Sequence, residues 1–170
     1  QKGGLRVFTA LDGAAALEIV RRDRIGVVLT DLSMPGMTGV ELRVVGAKNV
    51  LDLTNVELVG ARAAIEARGM RVLSIASPLL KCVLPDAPAI DTRLQQDVFG
   101  SAYTFEDQPR LTARAFEVAA ICGAPIVRVF SYWRTVDPSQ CFDRITAALR
   151  ALGDQAADRD LIIGVENEHA

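Results

Sequence analysis

The sequence is short of what several functional classes require. It has 1 histidine, 3 cysteines and 1 tryptophan among 170 residues. Cys82, Cys122 and Cys141 are odd in number, widely spaced and form no CxxC pair. That argues against a disulfide framework or a structural zinc site, and suits small buried thiols in a reducing cytoplasm. No basic run or stripe offsets the net charge of −2, so the electrostatic footprint of a nucleic-acid binder is missing. No apolar run approaches the roughly 18 residues that cross a bilayer, and no signal-peptide pattern opens the chain. The expected setting is cytoplasmic, with neither nucleic acid nor membrane as partner.

What is present is a globular α/β pattern. Hydrophobic residues make up 50% and charged residues 24%, enough for one domain with a real core. Leu5–Ala10 reads as a strand, Asp12–Arg22 as a helix, and Ile25–Thr30 as an apolar strand covered on both faces, with Asp31 at its end. Thr54 and Glu57 form a capping box for a helix on whose face Leu58, Ala61 and Ile65 recur until Gly69 at C′. Arg71–Ser77 reads as the next strand. The stretch from Pro78 to Gln108 has little periodicity and reads as a lid or insertion.

Pro109 opens a further helix with Leu111, Ala115, Val118 and Cys122 on one face and Gly123 after it. Pro125–Ser131 is a strand. Asp137-Pro138-Ser139-Gln140 starts a helix with Phe142, Ile145, Leu149 and Leu152 as its stripe and Gly153 as its close. Leu161–Glu166 is the last strand. Strand and helix alternate, so a parallel sheet is expected. Periodicity does not separate an open doubly wound sheet from a piece of a (β/α)8 barrel. The polar residues Glu41, Arg43, Ser77, Arg128, Ser131 and Glu166 lie in or at the C-terminal parts of their strands, which tips the balance towards a barrel, whose active site assembles at that rim.

Residues 39–45 make sense in two ways. Taken with the upstream residues, Asp31-Leu32-Ser33-Met34-Pro35-Gly36-Met37-Thr38-Gly39 resembles the D-x-x-M-P-x-M-x-G pattern of response-regulator receiver domains. This resemblance covers about residues 5–42 and implies a flavodoxin-like fragment over 1–42. Asp31 would be the phospho-acceptor, and the Ser33 carbonyl would help to hold Mg²⁺. The family's acidic pair, its Ser/Thr strand end and its lysine strand have no match in the sequence. Asp31 is therefore expected to resist phosphorylation by acetyl phosphate, giving no adduct of about 80 Da.

Taken with the downstream residues, Gly39-Val40-Glu41-Leu42-Arg43-Val44-Val45 reads as a buried barrel strand. It joins an ordered set: a helix ending Ala-Arg-Gly before Val-Leu-Ser, then Gly-Ala-Pro-Ile-Val-Arg-Val-Phe-Ser, then Gly-Val-Glu-Asn-Glu-His. The set resembles the sugar phosphate isomerase/epimerase family of xylose isomerase-like TIM barrels over about residues 39–170, as its second to fifth strands. The resemblance implies that Glu166 is a divalent-metal ligand (Mn²⁺, Mg²⁺ or Zn²⁺) and an acid/base for proton transfer next to a carbonyl. Glu168 and His169 are further candidates. From the residue chemistry, Glu41 suits substrate orientation, Arg128 suits an anionic group or a pairing with Glu41 or Glu166, and Tyr132 with Trp133 suits a sugar-stacking wall.

The expectation is thus a partial (β/α)8 barrel behind a receiver-like fragment, acting on a sugar or sugar phosphate. Its metal site is incomplete and its turnover absent in this chain, which reads as a fragment. Self-association through uncovered barrel edges is expected. The rival is a two-component signalling protein that uses Asp31.

Overall fold

A computed structural model describes residues 22, 27–29, 39–93 and 103–166. The expected strand at 5–10, nearly all of the helix from Asp12, and Asp31 with Ser33 lie outside the described residues, as do Glu168 and His169.

The fold is α/β. Strands β1 (Val27–Leu29), β2 (Gly39–Leu42), β5 (Arg71–Ala76), β6 (Ile126–Val129) and β7 (Ile162–Val165) form one parallel sheet in the order β2-β5-β6-β7-β1. Strands β3 (Val44–Val45) and β4 (Lys48–Asn49) make a separate antiparallel hairpin. Among the described residues the sheet is open, with β2 and β1 at its edges. β1, from the receiver-like stretch, pairs with β7, so both segments share one sheet.

Residues 39–45 settle as strand, but not as one strand. β2 ends at Leu42, and the positive φ of Gly46 (56°) and Ala47 (68°) then turns the chain into the hairpin.

Helices α1 (Asn55–Glu66), α2 (Gln108–Cys122) and α3 (Phe142–Ala157) connect β2 to β5, β5 to β6 and β6 to β7. These strands are parallel and advance across the sheet in chain order. Right-handed crossovers therefore put all three helices on one face. Leu58, Leu111, Val118, Leu152 and Ala156 from the helices share a single core with Ile75, Val127 and Ile163 from the strands. Each large aliphatic side chain so buried contributes about 1.5–3 kcal/mol.

The helix ends follow from sequence chemistry. Thr54 and Glu57 make the expected capping box at α1. At its other end Gly69 N donates to Glu66 O (2.9 Å) and Met70 N to Ile65 O (3.3 Å), with Gly69 at φ 71°. That is a Schellman closure with glycine at C′, and Gly123 closes α2 in the same way. In α3 two expectations fail. Gly153 is buried inside the helix, which continues to Ala157, and Asp160 takes the left-handed position instead (φ 56°). Residues 138–141 form a 3-10 turn capped by the Asp137 side chain, so the α-helix begins only at Phe142, which is exposed rather than packed.

The stretch after Pro78 is no surface lid at its start. Leu79–Cys82 are buried, and the segment 79–91 runs against 130–136. Their backbones meet through Phe130 N to Leu79 O (2.9 Å), Trp133 N to Cys82 O (3.0 Å) and Val136 N to Ala89 O (2.9 Å). These two segments roof the C-terminal end of the sheet.

Candidate functional site

The face of the sheet opposite the helices carries the polar residues. On β6 and β7, Val127, Val129, Ile163 and Val165 belong to the core, so the alternating Arg128 and Gly164 point the other way. On β5 the alternation is interrupted. Val40 pairs with Val72 but Glu41 pairs with Ser74, so Leu73 is an extra residue, a bulge. Bulges re-aim side chains. Here the bulge lets Val72 and Ile75 both reach the helical core and turns Ser74 towards Glu41. The Ser74 hydroxyl donates to Glu41 Oε2 at 2.9 Å.

Gly39 makes room for the bulge. A Cβ at Gly39 would meet the Leu73 side chain and lie 2.8 Å from Arg71 O.

Arg128 is flanked in register by Ala76 and Gly164, small residues over which its side chain can lie. Its Nε is 2.8 Å from Glu166 Oε2, and the Glu166 backbone is fixed by its N–H donating to Val129 O at 2.9 Å. The two charged atoms are close but the Nε–H is not directed at the carboxylate, so the contact is Coulombic rather than an aligned hydrogen bond. Ser77 Oγ donates to Arg128 O (2.5 Å), and Arg128 Nη1 donates weakly to Ser77 O (3.4 Å).

Of the two partners that the sequence left open for Arg128, Glu41 and Glu166, the structure shows Glu166. It places Glu41 in the same row, across adjacent strands. Tyr132 and Trp133 sit in the roof, half-buried. The Tyr132 ring lies 6.3 Å from Phe105, and burial pushes its hydroxyl up to about 12. The Cys82 thiol is likewise pushed up to about 11 by burial, and all three thiols are free and buried, as small core residues are.

Three contributors escaped the sequence reading. Ser74 offered a weak signal, a lone hydroxyl in the middle of an apolar strand. Lys81 and Gln108 offered none. Lys81 is buried, with Nζ 4.8 Å from the Phe130 ring centroid and 5.4 Å from that of Trp133. Gln108 is buried too: its Oε1 accepts from Leu80 N (2.8 Å) and its Nε2 donates to Thr104 O (2.8 Å).

The donors among the described residues do not by themselves fit a divalent cation. Among the described residues no three His, Cys, Asp or Glu side chains gather as a metal needs. Glu166, the expected ligand, instead faces the Arg128 guanidinium. What the row can do unaided is bind and orient a polyol or anion and offer one carboxylate for proton transfer.

Compared with models of known protein families and with curated proteins, the chain matches none.

Proposed function

We propose that this chain is part of a sugar or sugar phosphate isomerase/epimerase-type α/β protein, and that in this chain the site binds its ligand without turning it over. The observation that carries the reading is the polar row on the face turned away from α1, α2 and α3. Glu41 with Ser74, and Arg128 with Glu166, line the C-terminal halves of adjacent parallel strands. Ligands of parallel α/β sheets bind at that end.

The strand order supports a barrel-type origin. β2, β5, β6 and β7 succeed one another in space as in sequence, as consecutive barrel strands do. In this reading they are the second to fifth strands of a partial (β/α)8 barrel, and β1 takes the place beside β7 where the next barrel strand would pair.

Each residue then has a task. The Glu41 carboxylate, held by the Ser74 hydroxyl, accepts hydrogen bonds from sugar hydroxyls. Arg128 binds an anionic or carbonyl oxygen. Glu166 moves a proton at the carbon next to the carbonyl. Because the donors among the described residues do not gather as a metal needs, no step is assigned to one. A carboxylate base without a cation to hold the enediolate charge is a poor catalyst, which is why turnover is not expected.

Saturation-transfer NMR with a panel of neutral and phosphorylated aldoses and ketoses tests this. The expected result is transfer to ring or chain protons of the sugars, lost in Glu41→Gln, with no isomer formed. Equal transfer to unrelated dicarboxylates, or none to any sugar, would overturn it.

A further inference from the structure

Helix α1 turns an uncharged row to the outside. Its inner face puts Leu58 in the core and packs Ile65 against it. Along the opposite side run Val56, Gly60, Ala63 and Ala67, spaced by 4, 3 and 4 residues and all exposed. Ala67 is the C-cap and keeps a helical backbone (φ −61°). A surface helix ordinarily turns charged residues to water, and α3 does so. The same spacing on its outer side gives Asp143, Ala147, Arg150 and Asp154. Val56 is 82% exposed, more than any other large hydrophobic among the described residues, and Val59 beside the row is 57% exposed. Single exposed valines need no explanation, whereas a continuous apolar row marks an interaction surface.

Gly60 adds an independent observation. Glycine is a poor choice inside a helix. The described fold does not ask for one here, because a Cβ at this position would meet nothing within 4 Å and the residue has no positive φ. Bare backbone in the middle of an exposed row lets a second helix come close.

We propose that the outer row of α1 is the docking face for a second copy of this chain, the two α1 helices packing antiparallel about a two-fold axis. The surface is separate from the sheet edges at β2 and β1, and the proposal does not depend on the sugar reading.

The row is complementary to itself. A spacing of 4, 3 and 4 reads the same in both directions and is the alternation of a helix–helix seam. A two-fold axis level with the midpoint between Gly60 and Ala63 sets Gly60 against the partner's Ala63 and Val56 against the partner's Ala67. Each contact then occurs twice, as an isologous interface requires.

The charges at the two ends of the row are complementary as well. Before it, Lys48 offsets Glu57 at 2.7 Å, and exposed Asp52 remains. Within the helix Arg62 and Glu66 offset each other at 2.8 Å. Just beyond the row stand Arg68 and Arg71, both exposed. Antiparallel packing brings the acidic end of each copy to the basic end of the other, and opposes the two helix dipoles. Parallel packing would set arginine against arginine.

Sedimentation velocity on the full chain across a concentration series tests this. The variants are Val56→Asp, Asp52→Lys, Arg68→Glu and the double reversal Asp52→Lys/Arg68→Glu, each checked for folding by circular dichroism and thermal unfolding. The wild type is expected to dimerise reversibly. Val56→Asp, a change at an exposed position, weakens the dimer by about tenfold or more. Each single reversal weakens it by about threefold or more, and the double reversal recovers most of that loss. Recovery by a second substitution does not arise from general loss of structure.

A wild type that stays monomeric at every concentration overturns the proposal. A dimer indifferent to Val56→Asp overturns it too, and places the contact on another surface such as a sheet edge. A dimer broken by Val56→Asp but not restored by the double reversal overturns the antiparallel arrangement.

Discussion

Arg128 and Glu166 sit at the ends of neighbouring parallel strands with Nε and Oε2 2.8 Å apart, the arginine side chain buried and the glutamate side chain 40% exposed. The asymmetry fixes what each deletion does. Removing Glu166 takes a counter-charge from a buried cation, whereas an exposed carboxylate elsewhere contributes little. Glu166→Ala is expected to lower the unfolding free energy by about 1–3 kcal/mol in urea titrations. A change no larger than at exposed Glu66, paired with Arg62 on the surface of α1, would show the contact to be idle.

Gly39→Ala is expected to destabilise by about 1–3 kcal/mol, the range for overpacking. Its Cβ would press on the bulged Leu73 and on Arg71 O, which is backbone and cannot swing aside. Because that bulge aims Ser74 at Glu41, the variant should also weaken sugar binding. Chemical denaturation and a binding isotherm on the same sample check both effects, and an unperturbed Gly39→Ala would place the bulge elsewhere.

Acid should loosen the roof. Asp91 accepts from Arg93 Nε (2.9 Å) and Arg93 Nη2 (2.8 Å), and chiefly this hydrogen bonding holds its carboxyl at about 2 instead of 3.8. A depressed folded-state value means that the unfolded chain binds the proton first. The contribution is present above about pH 4 and is lost as pH falls towards 2. Asp91 N also donates to Arg134 O, so the change is felt where the segments 79–91 and 130–136 meet. Thermal unfolding from pH 5 to pH 2 should show a smaller loss of Tm in Asp91→Asn than in the wild type. Parallel curves would contradict this.

The parts of the fold that were legible in the sequence are those set by local chemistry. The Thr54 capping box, the closures at Gly69 and Gly123, and the face of α2 through Leu111, Ala115, Val118 and Cys122 need only neighbouring residues, and all appear. The α3 boundary failed because burial of Gly153 in the packed helix outweighed its tendency to end one. The break after Leu42 was hidden because residues 40–45 carry β-formers on both sides of it.

In the site, residue type and strand position pointed to Glu41, Arg128 and Glu166. Ser74 was missed because its direction depends on a bulge, which is a property of strand pairing. Lys81 was missed because nothing local marks a lysine for burial. It is buried because segments distant in sequence, 79–91 and 130–136, close over it.

Calorimetric titration of a ketose phosphate into the wild type, Glu41→Gln and Ser74→Ala, each with and without Mn²⁺, tests most directly the claim that the row on the face turned away from α1, α2 and α3 is a sugar site. The predicted result is saturable binding to the wild type with Kd below about 1 mM, weakened several-fold in both variants and unchanged by Mn²⁺. No binding, or binding that ignores both substitutions, would contradict it.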